Sequence, residues 1–177
     1  MKNIRMLAVT IAVAGAAVAA IAGSAKAGGD KVAFPADHAK GVLYTTVDRA
    51  DNKQVREFFA PAAAIEAAKK GQPVPSGTVL TMVQYAAQLD AAGNPTKDAN
   101  GRFSKGNLVG YAVMEKRTGW GSEHPDTVRN GEWEYQAFTA AKTVNDKANL
   151  TACFTCHKPL AASDYLFTLH KLKRTSK

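Results

Sequence analysis

The chain predicts an α+β fold, mainly antiparallel β-sheet with a few short helices. Three observations predict it. Short runs rich in β-branched and aromatic residues recur between residues 42 and 138. Turn-forming stretches separate them at close spacing. No segment in this region carries the long 3.6-residue apolar period of a helical bundle.

Each element has its own signal. Val42 to Val47 is β-branched and reads as a strand, and Val55 to Phe59 as a second, shorter one. Pro61 then opens an Ala-rich stretch that closes at Lys70 and Gly71, the punctuation of a helix. Gly77 to Tyr85, rich in Thr and Val, is a third strand. Asp90 to Arg102 is turn chemistry throughout and predicts an extended hairpin loop. Its Asp90, Asp98 and Asn100 suggest calcium, but the EF-hand spacing and its closing Glu are missing, so a solvated loop is expected. Leu108 to Met114 and Glu132 to Phe138 complete the strands, joined by a polar connection from Gly119 to Gly131. Lys147 to Ala152 leads into the last motif, and Pro159 is expected to end the helix that carries it.

That motif is Cys153-Phe154-Thr155-Cys156-His157. It has the C-x-x-C-H spacing of a c-type haem attachment. Two thiols three residues apart reach the two vinyl groups on one porphyrin edge from a single helical turn. His157 follows at once and brings an imidazole to the iron as proximal ligand. The chain has 2 cysteines, so both are consumed by one covalent haem. The competing readings are a redox C-x-x-C and half of a zinc site. The first belongs early in a βαβ unit, and the second lacks further Cys or His ligands at suitable spacing.

The N-terminus agrees with a haem of this kind. Met1 to Ala27 has a basic start (Lys2, Arg5), an apolar run from Met6 to Ala22 and a small-x-small end, Ala25-Lys26-Ala27. This is the pattern of a cleavable signal peptide of bacterial style, and it predicts a periplasmic protein. The alternative is a membrane anchor, but the run of about 17 residues is short for a span and rich in Ala and Gly rather than Leu. Residues 28–177 then form a single haem c domain, with no membrane attachment after cleavage. The net charge of +8 falls to about +5 once Lys2, Arg5 and Lys26 leave with the signal. The excess is spread along the chain except at the tail, where Lys171, Lys173, Arg174 and Lys177 read as a solvated end able to steer an acidic redox partner. No basic, aromatic-laced patch argues for nucleic acid.

The late C-x-x-C-H-K, followed by Asp164 and the Phe167-Thr168 pair behind a strand-rich region, resembles the cytochrome P460 family. That family includes the lysine-lacking beta-type cytochromes c-prime. The resemblance runs from about Ala36 to Leu172 and is strongest in the last third. It implies antiparallel sheet around one haem c, and a homodimer. It also implies one of two activities: hydroxylamine oxidation with a lysine cross-linked to the porphyrin, or nitric oxide or carbon monoxide binding in an apolar distal pocket. The proximal residues match as Cys153, Cys156 and His157. The cross-linking lysine's place, after Gly77-Thr78-Val79, holds Met82. The distal arginine is matched by Arg56, and the distal carboxylate's place falls near Ala112. Glu115 is three residues further on and so faces the other way along a strand.

Strand alternation puts Leu80, Met82 and Gln84 on one face, and Leu108, Gly110, Ala112 and Met114 on one face of the next strand. If Met82 faces the haem, these rows make an apolar distal wall, with Arg56 as its donor. Met82 is otherwise core filler, or a sixth ligand of the iron. His170 lies too close to the motif to reach the opposite haem face, and His38 and His124 read as exposed. Trp120, Trp133, Tyr111 and Tyr135 are assigned to packing at the core or the haem edge. Three functional classes therefore stay open. One is a haem protein that binds diatomic or nitrogen-oxide ligands at an open distal site and exchanges electrons. Another is a hydroxylamine-oxidising enzyme. The last is a six-coordinate electron carrier. Met82 and Ala112 in place of lysine and carboxylate favour the first.

Overall fold

A computed structural model describes residues 31–176. The proposed signal segment, Met1 to Ala27, lies outside the described residues. The predicted α+β architecture is present as one five-stranded antiparallel sheet in the order β1-β2-β3-β4-β5, with short helices packed on it. The strands are β1 (Val42–Arg49), β2 (Gln54–Ala60), β3 (Val79–Ala87), β4 (Lys105–Lys116) and β5 (Trp133–Thr139). Helix α1 (Ala62–Lys69) lies between β2 and β3, while α2 (Leu150–His157) and α3 (Leu169–Arg174) follow the sheet. Every strand and the first helix fall where the sequence puts them, with ends shifted by a few residues.

Each face of the sheet carries its own apolar cluster. On one face Ala60, Leu80, Trp133 and Tyr135 pack with Ala64, Ile65 and Ala68 of α1, Phe154 of α2, and Leu166 and Leu172 beyond it. On the other, Val83, Tyr111, Val113 and Phe138 pack with Val32 and Phe34 of the leading segment. Period-2 alternation sends Leu80 to the first cluster and Val83 to the second. The small residues Ala64 and Ala68 let α1 approach its neighbours closely. Gly71, at φ +71°, turns the chain away after α1.

The β3–β4 connection is ordered by its own side chains. Asp90 Oδ1 accepts from the Ala92 and Asn94 amides at 2.9 and 2.8 Å. Asp98 Oδ1 accepts from Asn100 and Arg102 at 2.8 and 3.0 Å. Each carboxylate thus closes a turn of its own loop. Arg102 pairs with Asp48 through two hydrogen bonds of 2.9 and 3.1 Å, which ties the hairpin to β1.

The end of the chain differs in part from expectation. Helix α2 ends at His157, just before Pro159, as expected, but the chain does not then straighten: Pro159 sits in the first turn of a 3₁₀ segment, Lys158–Ser163, that follows. The tail is also no simple solvated end. Lys171, Lys173 and Arg174 are exposed, but they alternate with Leu172, which is fully buried and docks α3 on the core. A run of cations masks one apolar anchor, and only the packing of α3 against α1 reveals it.

Replacing Leu172 by Ala is expected to lower unfolding stability by about 2–5 kcal/mol, and by Met by less than about 1.5 kcal/mol. Urea unfolding measures both. Equal, small losses would mean that α3 does not anchor the fold.

Candidate haem-binding site

The site is built on α2. Asn149 caps it, its side-chain oxygen accepting from the Ala152 amide at 3.3 Å. Cys153 and Cys156 are three apart and His157 is four beyond Cys153, so one side of two helical turns presents all three. Cys153 is half-buried, Cys156 is exposed, and both thiols are free. Phe154 points the other way and is the wedge that fixes the helix. It is fully buried, with ring centroids 4.7 Å from Tyr135 and 4.9 Å from His124. Asn130 Nδ2 donates to both the Phe154 carbonyl, at 2.9 Å, and the Tyr135 hydroxyl, at 3.0 Å. Burial raises the Tyr135 hydroxyl well above its ordinary value, against that hydrogen bond.

His157 is half-buried between Tyr135 and Phe167, with ring centroids at 5.1 and 5.0 Å. Its Nδ1 lies 2.6 Å from the Tyr165 carbonyl. A carbonyl only accepts, so Nδ1 carries the proton and Nε2 keeps its lone pair. Burial lowers the imidazole's proton affinity, partly opposed by the bond to Tyr165. A neutral, oriented imidazole with a free Nε2 is what a haem iron requires of a proximal ligand. Burial likewise raises the Cys153 thiol above its ordinary value. Among the described residues no group of three or more His, Cys, Asp or Glu side chains is placed to hold a metal ion.

The sheet register locates the sequence-predicted distal residues. Tyr135, which touches His157, pairs with Met114, and Met114 pairs with Leu80. Two residues along, the same face carries Ala137, Ala112, Met82 and Phe58 in one cross-strand row. The spacing between such rows is roughly 6.8 Å. Beyond it lies the row Gly110, Gln84 and Arg56. Met82, Ala112 and Arg56 therefore share the face on which α2 and His157 sit. Glu115 is on the opposite face, buried and bonded to Arg117 at 2.5 Å.

Arg56 is half-buried and donates to Gln54 Oε1 at 3.1 and 2.9 Å. Burial and the nearby Arg49 lower its proton affinity, with Asp51 opposing. Among the described residues it forms no ion pair with a carboxylate, although Asp51 acts on its charge from further away. Phe167 is 53% exposed beside His157, and Thr168 Oγ1 is 2.8 Å from the Tyr44 hydroxyl. Burial pushes that hydroxyl up to about 12.

A model of the cytochrome P460 family matches residues 38–168. The chain belongs to this family. No curated protein matches it. Membership in the cytochrome P460 family makes it a c-type haem protein, and the free thiols, the imidazole tautomer and the apolar row fit that group. A cavity of about 790 Å³ on the far side of β5, bounded by Phe34, Gln136, Phe138 and Leu150, carries none of these residues.

The assignments of two histidines change, while those of Tyr111 and Trp133 to packing and of His170 to the surface hold. His124 and His38 are not exposed. His124 bonds the buried Glu134 carboxylate and packs on Phe154, so it lies just behind the cysteine motif. The His38 ring packs against Phe34, Phe59 and Tyr111 on the opposite sheet face. Tyr111 belongs to that face too and cannot reach a haem beside His157. Trp133 is fully buried core, while His170 is exposed on α3. The sequence reading missed Tyr165, whose contribution is a backbone carbonyl and so leaves no side-chain signal. It missed Asn130 and Glu134 because their partners come from another element.

Glu134 predicts a pH effect. Burial holds its carboxyl above the ordinary 4.5, with His124 and Lys31 opposing and Glu123 adding to the rise. The folded state thus keeps this proton longer than the unfolded chain. The stability it supplies is complete below the ordinary value and lost as pH rises through the raised one. Urea midpoints between about pH 4 and 7 should therefore decline more for the parent than for Glu134→Gln. Parallel curves would exclude Glu134 as the source.

Proposed function

We propose that the protein is a periplasmic monohaem c-type cytochrome that binds a small diatomic or nitrogen-oxide ligand, such as nitric oxide, and exchanges electrons. Cys153 and Cys156 attach the haem covalently, and His157 is the proximal iron ligand through Nε2. The supporting observation is the row Phe58, Met82, Ala112 and Ala137 on the face shared with His157. It contains no amine and no carboxylate. A wall of this kind excludes water and offers no proton acceptor, which suits a neutral diatomic ligand better than hydroxylamine. Arg56, from the next row, is a cationic donor at its margin.

The haem supplies the iron that binds the ligand and carries the electron. The chain's own residues do the rest. The two thiols fix the haem edge, the bond from His157 to Tyr165 orients the imidazole, and the apolar row keeps the ligand space dry. Met82 in the lysine's place argues against the cross-linked, hydroxylamine-oxidising reading, because a thioether offers no amine. The homodimer and an acidic redox partner are carried over as parts of this reading, the first from the family resemblance and the second from the cations of α3. Export is supported by Met1 to Ala27 and by the attachment of haem c outside the cytoplasm.

The deciding experiment is the absorption spectrum of the matured, reduced protein before and after nitric oxide. A high-spin ferrous spectrum that shifts with the gas is expected. A low-spin spectrum indifferent to it would mean a sixth protein ligand, with Met82 the first candidate, and would move the function to electron transfer. Intact mass should show one haem, and Cys156→Ala should retain a single thioether. A mass without haem would exclude covalent attachment.

A further inference from the structure

The hydrogen bond from His157 depends on an unusual stretch of backbone. Asp164 and Tyr165 both lie in the left-handed region, at φ 51° and 60°. Neither is glycine. Each such residue costs roughly 1–2 kcal/mol, and a bulky aromatic is an uncommon occupant. Two in succession reverse the chain after the 3₁₀ segment and aim the Tyr165 carbonyl at Nδ1 of His157, 2.6 Å away. Something must hold the turn, because local propensity opposes it.

Asp164 holds it, through every acceptor it has. Its carboxylate receives both hydrogen bonds of Lys116 at 2.8 Å and the Val74 amide at 3.1 Å. Its main-chain carbonyl accepts from Trp133 Nε1 at 3.0 Å. The ion pair is largely enclosed, with side-chain exposures of 14% for Lys116 and 17% for Asp164. Lys116 Nζ also lies 5.6 Å above the fully buried Trp133 ring. The Tyr165 ring lies against Gly131, where an added Cβ would meet it at 3.0 Å. Three separate parts of the fold thus converge on one turn: β4 through Lys116, β5 through Trp133, and the α1–β3 connection through Val74.

We propose that Asp164, held by Lys116, is a positioning residue that fixes the Tyr165 carbonyl on His157 and thereby tunes the proximal ligand. The inference rests on the reading of His157 as the iron ligand. An imidazole whose N–H is fixed on a carbonyl is a stronger donor, and a stronger donor favours the ferric over the ferrous iron. Without its ion pair the turn loses what offsets its backbone cost. The carbonyl then drifts from Nδ1, and the ferrous form gains. Neither Lys116 nor Asp164 touches the imidazole, so their effect passes through the turn.

The test compares haem-loaded parent, Asp164→Asn, Lys116→Met and Lys116→Arg. Reduction potential is read by spectroelectrochemistry, and the iron–imidazole stretch of the ferrous protein by resonance Raman. Asp164→Asn and Lys116→Met should each raise the ferrous-to-ferric ratio at a fixed poise about tenfold, which is about 59 mV for a one-electron couple. Their iron–imidazole stretch should fall. Lys116→Arg, which keeps the charge, should stay near the parent. Leu172→Ala separates tuning from general loosening, because Leu172 belongs to the same core but makes none of the turn's hydrogen bonds, and its potential should not move.

Loaded variants with the parent's potential and stretch would overturn the inference. So would a shift in Leu172→Ala equal to that of Lys116→Met. Should Asp164→Asn fail to accumulate, the two Lys116 variants carry the comparison alone. A parent whose spectrum is unchanged by His157→Ala would instead overturn the reading of His157 as ligand, and the inference with it.

Discussion

Alternation along β3, β4 and β5 is the constraint on which the rest of the structure depends. A strand shows successive side chains to opposite faces, so one register decides what the helices cover and what lines the site. Leu80, Met114 and Tyr135 stand side by side and give α2 its apolar seat. Met82, Ala112 and Ala137 then necessarily form the next row on that face. A slip of one residue would exchange this row for Val83, Tyr111 and Phe138 and destroy both clusters together. Because both faces are buried over much of their length, that slip is strongly disfavoured.

The two sides of the site are made by different physics. The wall is made by the hydrophobic effect, which is undirected and needs only residues of suitable size and polarity. The proximal side is made by directed contacts onto backbone groups. Asn130 takes the Phe154 carbonyl, Lys158 takes the carbonyls of Asp126 and Arg129, and His157 takes that of Tyr165. Backbone acceptors keep their chemistry under substitution, so the imidazole's tautomer rests on chain geometry rather than on a second side chain's charge. The burden passes to whatever shapes the chain, which here is the Lys116–Asp164 pair.

Most of the sheet was legible in the sequence, since β-branched runs between clear turn signals are local information. The first helix was legible for the same reason, from Pro61 and Gly71 around an Ala-rich run. The C-x-x-C-H motif was legible because its residues are contiguous in the chain. What lay hidden is long-range. His124 reads as a turn residue until β5 brings Glu134 beside it. The cations of α3 read as a solvated tail until α1 covers Leu172. Pro159 marks the end of α2 but gives no sign of the 3₁₀ segment that follows it.

By itself, then, the sequence determined the α+β class, the strand order's raw material, the C-x-x-C-H spacing of Cys153, Cys156 and His157, and the absence of an amine at position 82. All of these depend on residues close together in the chain. Tertiary structure alone decided which face Met82 and Arg56 share with His157, which imidazole nitrogen is free, and what holds the Asp164–Tyr165 turn. Those answers depend on pairs such as Lys116 with Asp164, 48 residues apart. No local propensity encodes such a pair, because it is the closing of the sheet that brings the two groups within hydrogen-bonding distance.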